Sequence, residues 1–162
     1  MSDYVRPDDW DEPVVIPEVK RDLDRILVPF DGSHAAERAL AHADAVAERS
    51  GSEIVVIVAY DPPVTVRRRG ILMVEQLRHD MESDAHELAT ESVGLLLERG
   101  RRARGIVVKG DIVQAILETA GAEGADLIVM GRRGLGQLQG MLLGSVSEKV
   151  ARHASVPVFL VS

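Results

Sequence analysis

The stretch Asp126-Leu-Ile-Val-Met-Gly-Arg-Arg-Gly134, followed after nine residues by Gly144-Ser145, decides how the rest of this chain is interpreted. Its apolar run predicts a buried strand, its glycines predict a loop, and the segment from Ser145 has the pattern of a helix. Glycines let a backbone approach a ligand closely, and the N–H groups at a helix start attract anions. This order of elements predicts a phosphate site and hence nucleotide binding.

The same alternation of strand and helix extends through most of the chain. Apolar runs and apolar residues at helical spacing predict five strands, at residues 25–30, 53–60, 103–109, 126–130 and 156–161. Four helices are predicted between them, at residues 34–49, 71–99, 111–123 and 145–153. Gly51 and Gly100 suit helix ends, and Asp111 with Gln114 suits a helix start. Strands that alternate with helices predict an α/β fold: an open, Rossmann-like parallel sheet with helices on both faces.

Two predicted strand ends carry residues suited to a site. The first strand is followed by Asp31-Gly32-Ser33, and the fourth by the glycine loop. Ligands of open α/β sheets bind at the carboxyl ends of strands, where the strand order reverses. We therefore expect strands one and four to be neighbours, which gives the order 3-2-1-4-5.

Composition narrows the class of protein further. A chain of 162 residues suits one domain with a real core. The net charge of −7 argues against nucleic-acid binding, and the lack of cysteine excludes disulfides and thiol catalysis. No apolar run approaches the ~20 residues of a membrane span, and no apolar leader is seen, so we expect a cytoplasmic protein. Residues 1–21 are rich in acid and proline and predict a flexible extension, which leaves residues 22–162 as the domain.

The glycine loop fits neither of the two common phosphate loops. No lysine precedes Ser145, as a Walker A loop would require. Gly134-Leu-Gly136 begins a dinucleotide fingerprint, but Gln139 stands at the position of the third glycine. The sequence therefore argues against both a Walker A loop and a dinucleotide-binding loop.

The spacing Gly, two residues, Gly, nine residues, Gly-Ser instead resembles the nucleotide-binding members of the universal stress protein family. Four further stretches resemble the same family: Pro29-Phe-Asp-Gly-Ser33, Met130-Gly131, Leu142-Leu-Gly-Ser-Val-Ser147 and Pro157-Val-Phe-Leu-Val161. The resemblance covers about residue 24 to the end of the chain. It implies a stress-related regulatory protein that binds ATP or another adenine nucleotide, with or without Mg²⁺. It also implies a homodimer formed through residues 156–161, whose strand would otherwise leave an open sheet edge.

The resemblance implies roles for residues at the base and the sugar. Pro29 and the backbone near Ala59 would meet the adenine ring. Asp31 would approach the ribose hydroxyls or a bound metal ion. Met130 would line the ribose beside the entry to the glycine loop.

The same resemblance implies a second group of residues around the phosphates. Arg132 and Arg133 would either pair with a phosphate or face water. The backbone and hydroxyl groups at the loop and the helix start would bind the phosphates directly: Gly131, Gly134, Gly144, Ser145, Val146 and Ser147.

Several alternatives stay open at this point. Asp31 could be only a turn residue, and Ser145 only an N-cap with Glu148 as its capping-box partner. A bulky residue at Gly131 is expected to abolish binding without unfolding the chain. The ladder Glu75, His79, Glu82 and His86 suits a solvated helix face better than a metal site. The site shows no clear catalytic base, so a nucleotide-free dimeric scaffold and a weak ATP-hydrolysing enzyme remain as alternatives to a binding protein.

Overall fold

The sheet is parallel throughout and has the order β3-β2-β1-β4-β5, as the sequence predicts. The structure is a computed structural model that describes residues 22–62, 71–135 and 143–162. Its strands are β1 (Arg25–Pro29), β2 (Glu53–Tyr60), β3 (Ala103–Lys109), β4 (Leu127–Gly131) and β5 (Val158–Val161). Strand β5 begins two residues later than predicted.

Helices cover both faces of the sheet. They are α1 (His34–Ser50), α2 (Ile71–Glu98), α3 (Ile112–Ala122) and α4 (Ser145–His153). Helices α1 and α2 pack on one face, whereas α3 and α4 pack on the other. The helix that follows β1 and the helix that follows β4 therefore leave the sheet on opposite sides. This arrangement opens a crevice between the ends of two neighbouring strands.

Strand β1 lies at the centre of the molecule. Its residues Ile26, Leu27 and Val28 are fully buried, because both faces of a parallel sheet are covered by helices. Ile26 and Val28 contact the layer of α1 and α2, and Leu27 contacts the layer of α3 and α4. The two apolar layers hold the carboxyl ends of the strands in fixed positions.

The caps of α1 and α3 form as the sequence suggests, apart from one side chain. Ser33 caps α1, because its Oγ accepts a hydrogen bond from the Ala36 N–H at 3.2 Å. Asp111 caps α3 by accepting from the Gln114 N–H at 2.8 Å. The side chain of Gln114 does not complete the predicted pair with Asp111; it donates instead to Glu118 Oε1 at 2.7 Å, one turn further along the helix.

Ion pairs cluster at the amino ends of the strands. The Nε of Arg25 lies 3.0 Å from Glu53 Oε2, and the Nε of Arg104 lies 3.1 Å from Glu53 Oε1. Arg104 also pairs with Glu123, which lowers the pKa of that carboxyl and raises the pKa of the Arg104 guanidinium. These pairs tie the first three strands together at what we call the amino edge.

A second cluster of charges joins α1 to the turn after α2. Asp44 is buried, and its two carboxylate oxygens lie 2.6 Å from Arg101 Nε and 2.8 Å from Arg99 Nη1. Burial by itself would raise the pKa of the Asp44 carboxyl. The hydrogen bonds from Arg101 and Arg99 outweigh that effect and hold this pKa below its ordinary value.

The predicted acidic extension, residues 1–21, lies outside the described residues, so the boundary of the domain at residue 22 stays a prediction. In the described part of the chain, no helix has the length and apolar character that crossing a membrane requires.

Candidate functional site

A cavity of about 210 Å³ opens at the carboxyl ends of β1 and β4, where the strand order reverses. The fold places it there because α1 and α4 leave the sheet on opposite faces. Eleven of the twelve residues predicted for the site line this cavity; Arg132 does not. The eleven are Pro29, Asp31, Ala59, Met130, Gly131, Arg133, Gly134, Gly144, Ser145, Val146 and Ser147.

Gly131 is required for packing at the cavity floor. A Cβ at this position would lie 2.8 Å from the Cβ of Ala35 and 2.9 Å from its carbonyl carbon. Helix α1 therefore begins directly against the end of β4, and only glycine leaves room for that contact. A bulky residue at 131 would require backbone atoms of Ala35 to move, so we expect it to destabilise the fold as well as alter the site.

Gly134 makes room for a side chain. A Cβ at Gly134 would lie 2.4 Å from Asp31 Oδ2. In the structure that oxygen accepts a hydrogen bond from the Leu135 N–H at 3.1 Å, while Asp31 Oδ1 accepts from the Ser33 N–H at 3.0 Å. Asp31 therefore stabilises its own turn and also joins the end of β1 to the glycine loop.

The start of α4 differs in detail from the sequence prediction. Gly144, not Ser145, is the N-cap, and Ser145 is the first residue of the helix. Glu148 does not serve as the capping partner. The buried hydroxyl of Ser147 has that position instead: it accepts from the Gly144 N–H at 3.1 Å and lies 2.7 Å from the carbonyl oxygen of Arg132. The Ser147 hydroxyl thus holds the two ends of the glycine loop together.

Helix geometry leaves donors at this end of α4. The N–H groups of the first three helical residues have no carbonyl partner within the helix, and the first intrahelical bond is that of Glu148 N–H to Gly144 O at 2.8 Å. Ser145 and Val146 line the cavity beside them. The positive end of the helix dipole therefore lies at the cavity, which favours an anion there.

The two arginines of the loop are placed differently. Arg133 lines the cavity, as do the first residues of α4. Arg132 lies outside it, and its backbone is structural: its N–H donates to Val161 O and its carbonyl accepts from Gly144 N, both at 2.8 Å. The cavity thus combines one arginine, Arg133, with backbone donors at the start of α4.

One wall of the cavity is apolar, and only part of it was predicted from the sequence. Ile57 and the predicted Ala59 project from β2, and Ile112 and Ile116 project from the start of α3. Ile112 and Ile116 are four residues apart, a spacing that equally predicts an ordinary core face, so the sequence holds no signal that separates the two. Three further residues complete the part of the lining that was not predicted: Phe30, Ala36 and Leu135.

Among residues 22–62, 71–135 and 143–162, no cluster of three His, Cys, Asp or Glu side chains suits a metal ion. The four members of the predicted ladder on α2 are exposed, as expected for a solvated face: Glu75, His79, Glu82 and His86. The cavity itself carries one carboxylate among the described residues, that of Asp31.

An open, doubly wound parallel sheet with a cavity at its switch point defines a Rossmann-like α/β protein. Comparison with known sequences narrows the class, because a model of the Universal stress protein family matches residues 23–162. The chain belongs to the universal stress protein family. The predicted resemblance is confirmed over nearly the same residues.

Individual relatives agree with this assignment. The Thermus aquaticus protein described as "Universal stress protein in QAH/OAS sulfhydrylase 3'region" is 39% identical over 136 residues, which cover 84% of this chain and 96% of that protein. The structure of Universal stress protein MJ0577 of Methanocaldococcus jannaschii is 30% identical, with a TM-score of 0.76 and coverage of 86% of this chain and 95% of that chain. A universal stress protein in complex with cAMP is 27% identical, with a TM-score of 0.58 and coverage of 87% and 98%.

Proposed function

We propose that this protein binds an adenine nucleotide, ATP or a close relative, and acts as a regulatory protein of the stress response. The observation that carries the proposal is one cavity with an apolar wall at one side and backbone donors at the other. A nucleotide matches these two sides, because it has a flat apolar base at one end and an anionic phosphate chain at the other.

The apolar wall suits the base. The wall is formed by Ala59 and Ile57 of β2, Ile112 and Ile116 of α3, and Pro29 of β1. An adenine ring placed here would remove aliphatic surface from water, at about 25 cal/mol per Å² of apolar area. The base would therefore contribute affinity through burial, and the backbone would supply its hydrogen bonds.

The opposite end suits phosphates. The start of α4 directs backbone N–H groups and a helix dipole at the cavity, and Arg133 adds one positive charge. Asp31 supplies the one carboxylate among the described lining residues, and it would meet a ribose hydroxyl or a Mg²⁺ ion bound to the phosphates. The family membership and the cAMP complex of a relative support an adenine nucleotide as the ligand class.

The lining favours binding over turnover. Its ionisable side chains are those of Asp31 and Arg133, and it contains neither histidine nor lysine among the described residues. Phosphoryl transfer depends on positioning and on charge neutralisation, so slow hydrolysis of ATP stays a second candidate function. A ligand that binds two states of the protein unequally would shift their populations, and this is how a binding protein regulates.

Calorimetric titration with ATP, AMP and cAMP tests the proposal. We expect saturable binding of at least one of them, and no binding at millimolar ligand would overturn the proposal. Ala59→Phe should abolish binding because the ring fills the space between β2 and α3. Ala41→Phe is the matched control, because Ala41 is exposed on α1 outside the cavity and the same change there should leave the affinity unaltered.

We also propose a homodimer formed through β5. This strand is the last in the sheet, and Phe159 on it is 44% exposed beside His42 of α1, with ring centroids 5.6 Å apart. A second copy would pair the open backbone edge and cover the Phe159 ring. Light scattering should give twice the monomer mass, and Phe159→Glu should restore the monomer. A monomeric wild-type chain at tens of micromolar would contradict the dimer.

A further inference from the structure

Asp31 holds two backbone amides at once, and they belong to different parts of the site. Its Oδ1 accepts from Ser33 N–H at 3.0 Å, within the turn that begins α1. Its Oδ2 accepts from Leu135 N–H at 3.1 Å, in the glycine loop 104 residues away in the sequence. The first contact is local and fixes the position of the carboxylate. The second places a negative charge on an N–H group of the loop.

The Leu135 N–H is thereby occupied by an anion that belongs to the protein. Gly134 lacks the Cβ that would lie 2.4 Å from Asp31 Oδ2, so the loop is shaped to admit this carboxylate. A phosphate bound at the same loop needs backbone N–H donors and is repelled by a neighbouring carboxylate. The free protein therefore has a built-in competitor for phosphate at Leu135.

A ribose resolves this competition, whereas a bare phosphate does not. Its hydroxyl groups donate hydrogen bonds, and an ionised carboxylate only accepts them. A ribose hydroxyl at Oδ2 would replace the Leu135 N–H as the partner of Asp31, while Ser33 N–H keeps Oδ1 in place. The Leu135 N–H would then be available to a phosphate oxygen. Inorganic polyphosphate brings no such donor and leaves the competitor in place.

We propose that Asp31 determines specificity by making phosphate binding at the glycine loop depend on a ribose with free hydroxyls. In the free protein its carboxylate occupies Leu135 N–H, and the sugar draws it away as the phosphates arrive. The inference rests on the proposed nucleotide site and adds a reason why that site would reject free polyphosphate. It also gives Gly134 a role, because only glycine admits the carboxylate to the loop.

The test compares inorganic triphosphate, ATP and 2′,3′-dideoxy-ATP as ligands of the full chain, by calorimetry, with Mg²⁺ and with EDTA. The variant is Asp31→Asn, whose Oδ1 still accepts from Ser33 N–H and keeps the turn. Its NH₂ group does not accept from Leu135 N–H. The control is Asp61→Asn, which removes one charge from an exposed residue directly after β2, outside the cavity.

We expect the wild type to bind ATP more tightly than dideoxy-ATP and to bind triphosphate poorly. Asp31→Asn should bind triphosphate about tenfold more tightly than the wild type, as expected for removing one hydrogen bond to a charged group. Its affinities for ATP and dideoxy-ATP should become nearly equal. Asp61→Asn should leave all three affinities within about twofold of the wild type, since exposed charges interact weakly.

Each other outcome overturns the inference in a recognisable way. If Asp31→Asn binds triphosphate no more tightly than the wild type, Asp31 does not compete for the loop, although ATP binding and the proposed function stand. An equal gain in triphosphate affinity in Asp61→Asn would show that the effect comes from the net charge of the protein and not from the position of Asp31. If Asp31→Asn loses triphosphate binding in the presence of Mg²⁺ but not in EDTA, Asp31 acts as a metal ligand instead. If no form binds ATP, the proposed function fails together with the ribose dependence.

Discussion

The amino edge of the sheet and its carboxyl edge, where the strands end, are stabilised by different kinds of interaction. At the amino edge, Arg25, Glu53 and Arg104 pair side chain to side chain, and Asp44 is held by two guanidinium groups nearby. At the carboxyl edge, the contacts that shape the cavity join backbone amides to one carboxylate and one hydroxyl, those of Asp31 and Ser147. The first edge satisfies its charges within the protein, and the second keeps its donors close to a cavity.

Under the proposed function, this difference assigns stability to the amino edge and binding to the carboxyl edge. Side-chain ion pairs at the amino edge satisfy one another's charges. Backbone donors at the carboxyl edge are fixed by the fold and cost little to present, because the strands and helix starts already position them. Substitutions at the amino edge should therefore change the free energy of unfolding, and substitutions at the carboxyl edge should change affinity, except where the fold itself depends on the site.

The largest loss of stability is expected from Asp44→Ala. The change removes both hydrogen-bond acceptors of a buried carboxylate and leaves Arg101, only 18% exposed, without this partner. Breaking such a pair from one side should lower the free energy of unfolding by about 3 kcal/mol, measured by urea denaturation.

Glu48→Ala is the matched control for that change. Glu48 pairs with the same Arg101, but its side chain is 65% exposed, so its removal should cost at most about 0.5 kcal/mol. Nucleotide affinity should be unaltered in both variants. A loss in Glu48→Ala as large as that in Asp44→Ala would show that burial does not distinguish the two carboxylates.

Gly131→Ala tests the case in which a residue of the candidate site is also needed for the stability of the fold. The new Cβ would lie 2.8 Å from that of Ala35, so α1 would have to shift, at a cost of about 2 kcal/mol in unfolding free energy. Gly94→Ala is the control: Gly94 lies within α2, a Cβ added there would meet no neighbouring element within 4 Å, and the variant should gain about 0.8 kcal/mol from helix propensity. Equal stability of wild type and Gly131→Ala would contradict the close approach of α1 to β4.

The amino edge should also set the acid sensitivity of the protein. Folding lowers the pKa of Asp44 and of Glu123, so these carboxyls release protons more readily in the folded than in the unfolded chain. Their contribution is complete above the ordinary pKa values of about 4, and it is lost as pH falls through the folded values. The Tm should therefore decrease as the pH is lowered below about 4. In Asp44→Asn the Tm should decrease less steeply with pH. A parallel decline in that variant would assign the acid sensitivity to other groups.

Gly134→Ala should have the smallest effect on stability and a clear effect on binding. Its Cβ meets only the end of the Asp31 side chain, which is able to rotate away, so unfolding should change by about 0.5 kcal/mol or less. The displaced carboxylate and the added methyl group should weaken ATP binding about tenfold, measured by calorimetry. Unchanged affinity would mean that the loop does not approach the ligand at this point.

The fold could be predicted because its signals are local. Buried parallel strands are continuous apolar runs, and glycines such as Gly51 end the helices. The strand order came from the placement of Asp31 and the glycine loop after two different strands, since ligands bind where the order reverses. The bounds of α1, α2 and α3 differ by one residue from the prediction, because helix ends depend on hydrogen bonds that a pattern does not reveal. Helix α4 has the predicted bounds.

The site could be predicted only in part, for two physical reasons. Its polar residues carry unusual spacing, but its apolar wall does not, because Ile112 and Ile116 have the same pattern as a core face. Contacts between distant residues are also absent from any local pattern. The bond from Leu135 N–H to Asp31 and the bond from the Ser147 hydroxyl to Arg132 O are of this kind.

The backbone hydrogen bonds of Arg132 determine how the fold tolerates insertions after β4. Its N–H donates to Val161 O of the last strand, and its carbonyl accepts from both the Gly144 N–H and the Ser147 hydroxyl, so Arg132 and Gly144 are held next to each other. Lengthening a loop with pinned ends is inexpensive, at about 0.6 kcal/mol for each doubling of its length. Residues inserted between Leu135 and Gly144 should therefore leave the sheet intact, whereas Gly134 and Leu135 stay constrained by their contacts with Asp31.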